Sequence, residues 1–190
     1  ARGFENHALD HHLCSMTKIV ILSKDAQPGK VKTRLATKLG NHIATQIHCD
    51  LAMMTLDKAK QSGLEVEVSF AGDLSQPLAQ AFRQAGAHVF SQPRGDLGDK
   101  IFHAMQRGPR VIALGIDCPS LEARDLQTAA NSHQLVLGPS LDGGYWLIAA
   151  SRPPLALFKD VPWSSHQTLS STLHNASKLG MEVQFLASRY

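Results

Sequence analysis

Four cationic side chains surround a Pro-Gly turn directly after the first strongly apolar segment of the sequence. They are Lys24, Lys30, Lys32 and Arg34. Glycine allows backbone amides to approach a ligand closely, and lysine and arginine neutralise phosphate groups. The spacing differs from the Walker A pattern, because Val31 follows the Gly-Lys pair and Lys24 occupies the place of the first glycine. The loop therefore predicts a phosphate-binding site of another kind, and a merely solvated basic loop is the alternative.

One carboxylate follows the strongest predicted strand, residues 110–115. It belongs to Asp117, in the segment Gly115-Ile-Asp-Cys-Pro-Ser120. A carboxylate at the end of a buried strand costs free energy unless it is paired or bound to a cation. One carboxylate together with substrate phosphates is a usual way of holding Mg²⁺. We therefore predict that Asp117 binds Mg²⁺ or Mn²⁺, with helix capping as the alternative. Cys118 has no identifiable basic partner, which favours a small buried residue over a nucleophile.

A third segment whose residues could contact a ligand is Gln92-Pro-Arg-Gly-Asp-Leu-Gly98, at the start of a predicted helix. Asp96 is well placed to cap that helix. Gly95 and Gly98 suit close contact with a planar group of a ligand. The residue types leave both interpretations open at this point.

The fourth segment, Gly138-Pro-Ser-Leu-Asp-Gly-Gly-Tyr-Trp146, carries a strong turn signal. A plain hairpin is one interpretation. The other is an acceptor pocket closed by the aromatic side chain of Trp163, for which a place in the core is the alternative. The residues assigned to the pocket besides Trp163 are Asp142, Gly143, Gly144 and Tyr145. Ser140 lacks the GxSxG context of a hydrolase nucleophile, so a catalytic triad finds no support.

Apolar segments and helical periodicities alternate from residue 16 onward, which predicts one α/β domain with a mainly parallel sheet over residues 16–190. Ligands of such sheets bind beyond the carboxyl ends of the strands, where these four segments fall. Residues 1–15 show no period and are interpreted as an upstream extension, with Met16 as the natural start. Three histidines there, His7, His11 and His12, leave a metal site as the alternative.

The composition excludes several classes of protein. The 190 residues are 43% hydrophobic and 18% charged, which excludes a disordered chain. No apolar stretch reaches the roughly 18 residues of a membrane span. The net charge of +3, without an aromatic-rich strand or a basic helix, gives little support to nucleic-acid binding. Three widely spaced cysteines without a secretory signal favour a cytoplasmic protein.

Five motifs in order resemble the DUF2064 family of bacterial GT-A-type glycosyltransferases. They are Pro28-Gly-Lys-Val-Lys-Thr-Arg-Leu35, Gly95-Asp-Leu-Gly98, Gly115-Ile-Asp-Cys-Pro119, Gly138-Pro-Ser-Leu-Asp-Gly-Gly-Tyr145 and Trp163-Ser164. The resemblance covers residues 17–185. It implies a three-layer, Rossmann-like GT-A fold, as in nucleotide-diphospho-sugar transferases and small nucleotidyltransferases. It also implies a transferase that depends on a divalent cation and uses a nucleotide or nucleotide-sugar donor and a small-molecule acceptor.

The resemblance also implies roles for individual residues. Donor phosphates are expected at Gly29, Lys30, Lys32 and Arg34, with Lys32 and Arg34 also assigned to catalysis. The base is expected at Gln92, Gly95, Asp96 and Gly98. Asp117 matches the metal-binding, catalytic aspartate, and the acceptor side matches residues 142–145.

Two functions remain open from the sequence. The first is glycosyl transfer from a nucleotide sugar, or nucleotidyl transfer from a nucleoside triphosphate. The second is a degenerate GT-A domain that binds a nucleotide without turnover. The second arises because related sequences are expected to continue into a further acidic motif, whereas no carboxylate follows Glu182 here. The sequence does not identify the base, the sugar or the acceptor, and it does not determine the oligomeric state.

Overall fold

The most apolar segments of the chain form the centre of a sheet. A computed structural model describes residues 17–189, and within them seven strands pair in the order β3-β2-β1-β4-β6-β5-β7. The strands are β1 (Thr17–Lys24), β2 (Glu65–Ala71), β3 (His88–Ser91), β4 (Arg110–Leu114), β5 (Leu135–Pro139), β6 (Tyr145–Ala150) and β7 (Val183–Phe185). The predicted extension at residues 1–15, with its three histidines, lies outside the described residues.

Helices cover both faces of this sheet. They are α1 (Thr33–Leu39), α2 (Asn41–Gln61), α3 (Pro77–Gln84), α4 (Leu97–Met105), α5 (Ala123–Ala130) and α6 (Thr168–Lys178), with a 3₁₀ turn at Leu155–Leu157. Neighbouring residues of a strand point to opposite faces. Ile19 and Ile21 therefore pack under α2, α3 and α5, while Val20 packs under α4 and α6. The predicted three-layer α/β architecture is confirmed.

The sheet is mainly parallel, as predicted, with one exception. β1 pairs in parallel with β2 and β4, and β5 pairs in parallel with β7. β6 runs antiparallel to both of its neighbours, β4 and β5. The turn between β5 and β6 is thus a hairpin, as the Asp-Gly-Gly signal indicates. No helix in the described part of the chain is long and apolar enough to cross a membrane.

The sequence pattern did not predict helix α1. α1 contains no buried residue, so it lacks the apolar stripe by which a helix is recognised. Gly40, with a positive φ of 83°, separates α1 from α2. The predicted helices at 121–132 and 165–179 are also shorter in the structure, because turns and caps occupy residues at both of their ends.

Parallel strands bring their carboxyl ends to one edge of the sheet. β1, β4 and β5 run in the same direction, since the antiparallel strand β6 lies between β4 and β5. The loops at residues 25–32, 115–122 and 140–144 therefore meet at this edge. This is the edge at which the sequence predicts a ligand.

Candidate functional site

The loop after β1, residues 25–32, closes on itself. The ammonium of Lys24, at the end of β1, donates a hydrogen bond of 2.9 Å to the carbonyl oxygen of Lys30. The amide of Lys30 donates to the carbonyl of Gln27 at 3.0 Å. Val31 is buried and anchors the loop to the interior. Lys30 and the turn before it remain exposed at the carboxyl edge of the sheet.

Lys32 leaves this loop in a strained conformation and contacts the loop after β4. Its backbone is left-handed, with φ of 45° and ψ of 42°, at the residue that precedes α1. Such a conformation is uncommon for a residue with a Cβ and persists where surrounding structure holds it. The Nζ atom of Lys32 lies 2.7 Å from Oδ1 of Asp117. The structure thus brings together two predicted site residues that are 85 positions apart.

Asp117 is less buried than its place after a central strand suggests. It stands three residues beyond β4, and its side chain is 74% exposed. The desolvation cost expected from the sequence is therefore small, and Lys32 already pairs with the carboxylate. Among the described residues, no group of three or more histidine, cysteine or carboxylate side chains surrounds a metal-sized space. An exposed lone carboxylate fits a cation whose remaining ligands are phosphates and water.

The residues expected at the base have structural partners in this chain. The Asp96 carboxylate accepts from the Asp99 amide at 2.9 Å, and the Asp99 carboxylate accepts from the Asp96 amide at 3.1 Å. This reciprocal pair is a capping box for α4. Gly95 has φ of 124°, and a Cβ there would collide with the Asp99 side chain. Asp96 therefore caps α4, as one of the two interpretations of this segment predicts.

Gly98 and Gln92 also have internal partners. A Cβ on Gly98 would lie 2.8 Å from Nε1 of Trp163, so the indole packs directly on the start of α4. The side-chain amide of Gln92 donates to the carbonyls of Ser69 at 2.9 Å and Ser23 at 3.3 Å. Gln92 thereby joins the carboxyl ends of β1 and β2.

Asp142 organises the turn between β5 and β6. Its Oδ1 accepts from the hydroxyl of Ser140 at 2.7 Å and from the amide of Gly144 at 3.1 Å. These two hydrogen bonds lower the pKa of Asp142, and the positive charge of Arg34 lowers it further. Asp142 is therefore an anion, and the guanidinium of Arg34 on α1 is near enough to influence it.

The turn packs against the start of α6. The amide of Leu169 donates to the carbonyl of Gly143 at 2.9 Å. Gly143 has φ of 87°, and a Cβ there would lie 2.6 Å from the Cα of His166. Tyr145 and Trp163 meet edge to face, with ring centroids 6.3 Å apart, and both pack on the core under α4 and α6. The structure thus joins the two segments assigned to the acceptor, and Trp163 also serves as core.

Several supporting residues escaped the sequence analysis. The guanidinium of Arg189 pairs with Asp125 at 2.7 Å, and its backbone bonds to Pro139 and Leu141 beside the turn. His48 is buried beneath the basic loop. Its four-residue spacing from Ala44 places the two residues on one face of α2, but their residue types do not indicate that this face is buried, and nothing local indicates the partner of Arg189. Cys118 is buried, as predicted, and burial raises the pKa of its thiol.

Comparison with known proteins supplies a family and a set of similar folds. The DUF2064 family, described as an uncharacterized protein conserved in bacteria, matches residues 55–165. No curated protein matches the chain. A protein of Desulfovibrio desulfuricans G20, named provisionally as a nucleotide-diphospho-sugar transferase, has a TM-score of 0.83 and 25% identity, with 92% of this chain and 80% of that chain covered.

Two further solved structures share the fold at low identity. CMP:2-keto-3-deoxy-manno-octonic acid synthetase complexed with CTP has a TM-score of 0.58 and 13% identity, with 92% and 90% of the two chains covered. The 4-diphosphocytidyl-2C-methyl-D-erythritol synthase of Anaerococcus prevotii DSM 20548 has a TM-score of 0.60 and 8% identity, with 93% and 90% covered. At these identities the likeness shows the fold alone.

Proposed function

This chain belongs to the DUF2064 family, and we propose that it is a transferase that uses a nucleotide-activated donor. The observation that carries the proposal is the meeting of Lys32 and Asp117 at the carboxyl edge of the sheet. A cationic loop and a carboxylate at this edge provide the two charges needed to bind a metal–phosphate group. The names of proteins with this fold, one of them complexed with CTP, support the same class of reaction.

The donor phosphates would bind at the loop of residues 25–32 and the start of α1. Gly29 is exposed and has φ of 78°, and because it has no side chain a ligand can approach the main chain of the turn closely. Lys30 and Arg34 are exposed, and Lys32 already points at Asp117. These three cations would stabilise negative charge that develops on the leaving phosphate group.

Asp117 would hold a divalent cation together with the donor phosphates and water. Mg²⁺ or Mn²⁺ bound there would add neutralising charge on the pyrophosphate group. Lys32 would pair with the Asp117 carboxylate when no donor is bound. When the donor and the cation bind, the Lys32 ammonium would become available to the donor phosphates. The remaining cations of the basic loop orient the donor.

The two sides of the cleft would bind the rest of the substrates. Because Arg34 influences Asp142, the turn carrying Asp142, Gly143, Gly144 and Tyr145 is the proposed acceptor side, with Trp163 behind it. The segment with Gln92, Gly95, Asp96 and Gly98 is the proposed base side. Nucleotidyl transfer would release pyrophosphate, and glycosyl transfer would release a nucleoside diphosphate.

One observation favours a second candidate function, nucleotide binding without turnover. We assign the metal to one carboxylate, that of Asp117. The described residues form no cluster of three metal ligands. A metal site that depends on the nucleotide for most of its ligands positions the reacting phosphate less rigidly. A degenerate domain would then retain affinity and lose the reaction.

Calorimetric titration tests both candidates. The purified protein is titrated with nucleoside triphosphates and nucleotide sugars, each with Mg²⁺, Mn²⁺ or EDTA. We expect metal-dependent binding of one nucleotide, lost in Asp117→Asn and kept in Asp57→Asn, a matched change at an exposed position on α2. Equal metal-dependent binding by Asp117→Asn would remove Asp117 from the site. Binding without product over a broad set of acceptors would favour the degenerate domain, and absence of all binding would refute both.

A further inference from the structure

A histidine that the proposed reaction does not use lies beneath the basic loop. His48 is 3% exposed, on the face of α2 that packs on the sheet. Its Nε2 lies 3.0 Å from the carbonyl oxygen of Lys24. A carbonyl oxygen only accepts hydrogen bonds, so Nε2 must carry the proton. Burial lowers the pKa of His48, which makes the neutral Nε2–H tautomer the resident form near pH 7.

The hydrogen bond of His48 ends on the residue that closes the loop. Lys24 is the last residue of β1, and its carbonyl faces α2 while its ammonium donates to the carbonyl of Lys30 at 2.9 Å. The His48 contact therefore fixes the beginning of the loop to α2. The Lys24–Lys30 contact joins the beginning of the loop to a residue near its end. The ammonium of Lys24, grouped by the sequence with phosphate-binding cations, is engaged by the main chain instead.

Lys32 lies at the end of the loop that these two contacts hold. Lys32 follows Lys30 by two residues and has left-handed backbone angles, which local preferences disfavour. In this conformation its ammonium lies 2.7 Å from Oδ1 of Asp117 in the neighbouring loop. Because local preferences disfavour this backbone conformation of Lys32, contacts with the surrounding structure must maintain it.

We propose that His48 and Lys24 are positioning residues, which hold the loop of residues 25–32 so that Lys32 faces Asp117. His48 acts through the carbonyl of Lys24, and Lys24 acts through the carbonyl of Lys30. Neither side chain needs to touch the donor. The effect on nucleotide affinity rests on the proposed function, whereas the effect on loop conformation does not.

Hydrogen exchange followed by NMR tests the loop conformation directly. His48→Ala and Lys24→Met should each accelerate exchange of the Lys30 amide, which donates to the carbonyl of Gln27, by about fivefold or more. His48→Gln should restore slow exchange, because the glutamine amide can donate to the same carbonyl. Thr55→Val is the matched control, since Thr55 is buried on the same helix and its hydroxyl donates to the carbonyl of Leu51, one turn earlier on that helix.

The control separates positioning from a general loss of stability. Equal acceleration in Thr55→Val and His48→Ala would overturn the proposal, as would unchanged exchange in both His48→Ala and Lys24→Met. A ¹⁵N-resolved spectrum of the wild-type imidazole provides a second test. We expect the Nε2–H tautomer of His48, and an Nδ1–H tautomer would overturn the assigned hydrogen bond.

Nucleotide titration connects the loop to function. With the nucleotide that the wild type binds, His48→Ala and Lys24→Met should weaken metal-dependent affinity about tenfold, with rescue by His48→Gln. The double variant should lose little more than either single variant, because both contacts act on one loop. If the wild type binds no nucleotide while the exchange results hold, the proposed function fails and the positioning role stands. Faster exchange with unchanged affinity would overturn the link between this loop and the donor.

Discussion

Replacement of Gly98 by alanine distinguishes ligand contact from internal packing at the start of α4. An added Cβ would lie 2.8 Å from Nε1 and Cζ2 of Trp163 and 3.0 Å from Cε2. Ordinary contacts of this kind are 3.4–4 Å, so the indole would have to retreat by about 0.6 Å. Tyr145 packs against the same indole, with ring centroids 6.3 Å apart, and restricts that movement.

The expected free-energy change combines two opposing terms. Overpacking against the indole costs about 1–3 kcal/mol. Alanine in a helix is more favourable than glycine by up to about 1 kcal/mol. Gly98→Ala should therefore destabilise the protein by about 0–3 kcal/mol, and each kcal/mol corresponds to about 2–4 °C in Tm for a chain of this size.

The sign of the effect should reverse when the indole is removed. In a Trp163→Leu background the atoms that Gly98 contacts are absent, so Gly98→Ala should stabilise by up to about 1 kcal/mol. Urea and thermal unfolding of the four proteins in this cycle give a coupling energy of about 1–3 kcal/mol. Gly115→Ala is the control, because among residues 17–189, apart from the two chain neighbours, no heavy atom lies within 4 Å of the added Cβ.

Equal effects of Gly98→Ala in both backgrounds, within about 0.5 kcal/mol, would refute the packing argument. Nucleotide affinity measured on the same proteins tests the other interpretation. If Gly98 contacts the donor, Gly98→Ala should weaken nucleotide binding whether or not Trp163 is present.

The turn at Gly143, the cation of Arg34 and the imidazole of His48 each have an expected response to perturbation. Gly143→Ala should lower the free energy of unfolding by about 2 kcal/mol or more in urea titration, because its φ is 87° and the Cβ would lie 2.6 Å from the Cα of His166; an unchanged midpoint would contradict this. Arg34→Ala should weaken nucleotide binding by about 1.5–3 kcal/mol in calorimetry, whereas Lys38→Ala should not, and equal losses would indicate a diffuse charge effect. Burial lowers the pKa of His48, so the folded state takes up its proton at lower pH than the unfolded state. The free energy of unfolding should therefore decrease as pH falls below about 6.5, and a pH profile unchanged by His48→Gln would exclude this cause.

The strands and their carboxyl-edge loops were predictable because their signals are local. A buried parallel strand is a short apolar run, and the order of such runs with helices between them restricts the sheet to a few topologies. Helix α1 was missed for the same reason, since it buries nothing and has no apolar stripe. The Asp-Gly-Gly turn indicates the hairpin of β5 and β6 locally. The position of β6 between β4 and β5 depends on the whole sheet.

Residue types alone indicated which side chains could bind a phosphate or a cation. The tertiary structure determined which of them meet: Lys32 reaches Asp117, Gly98 receives Trp163, and Asp96 pairs with the Asp99 amide. It also placed His48, whose burial the sequence does not indicate, under the carbonyl of Lys24. Spacing along the chain records periodicity within one helix or strand. Contacts between loops depend on the crossover connections and packing that set how separate elements approach each other.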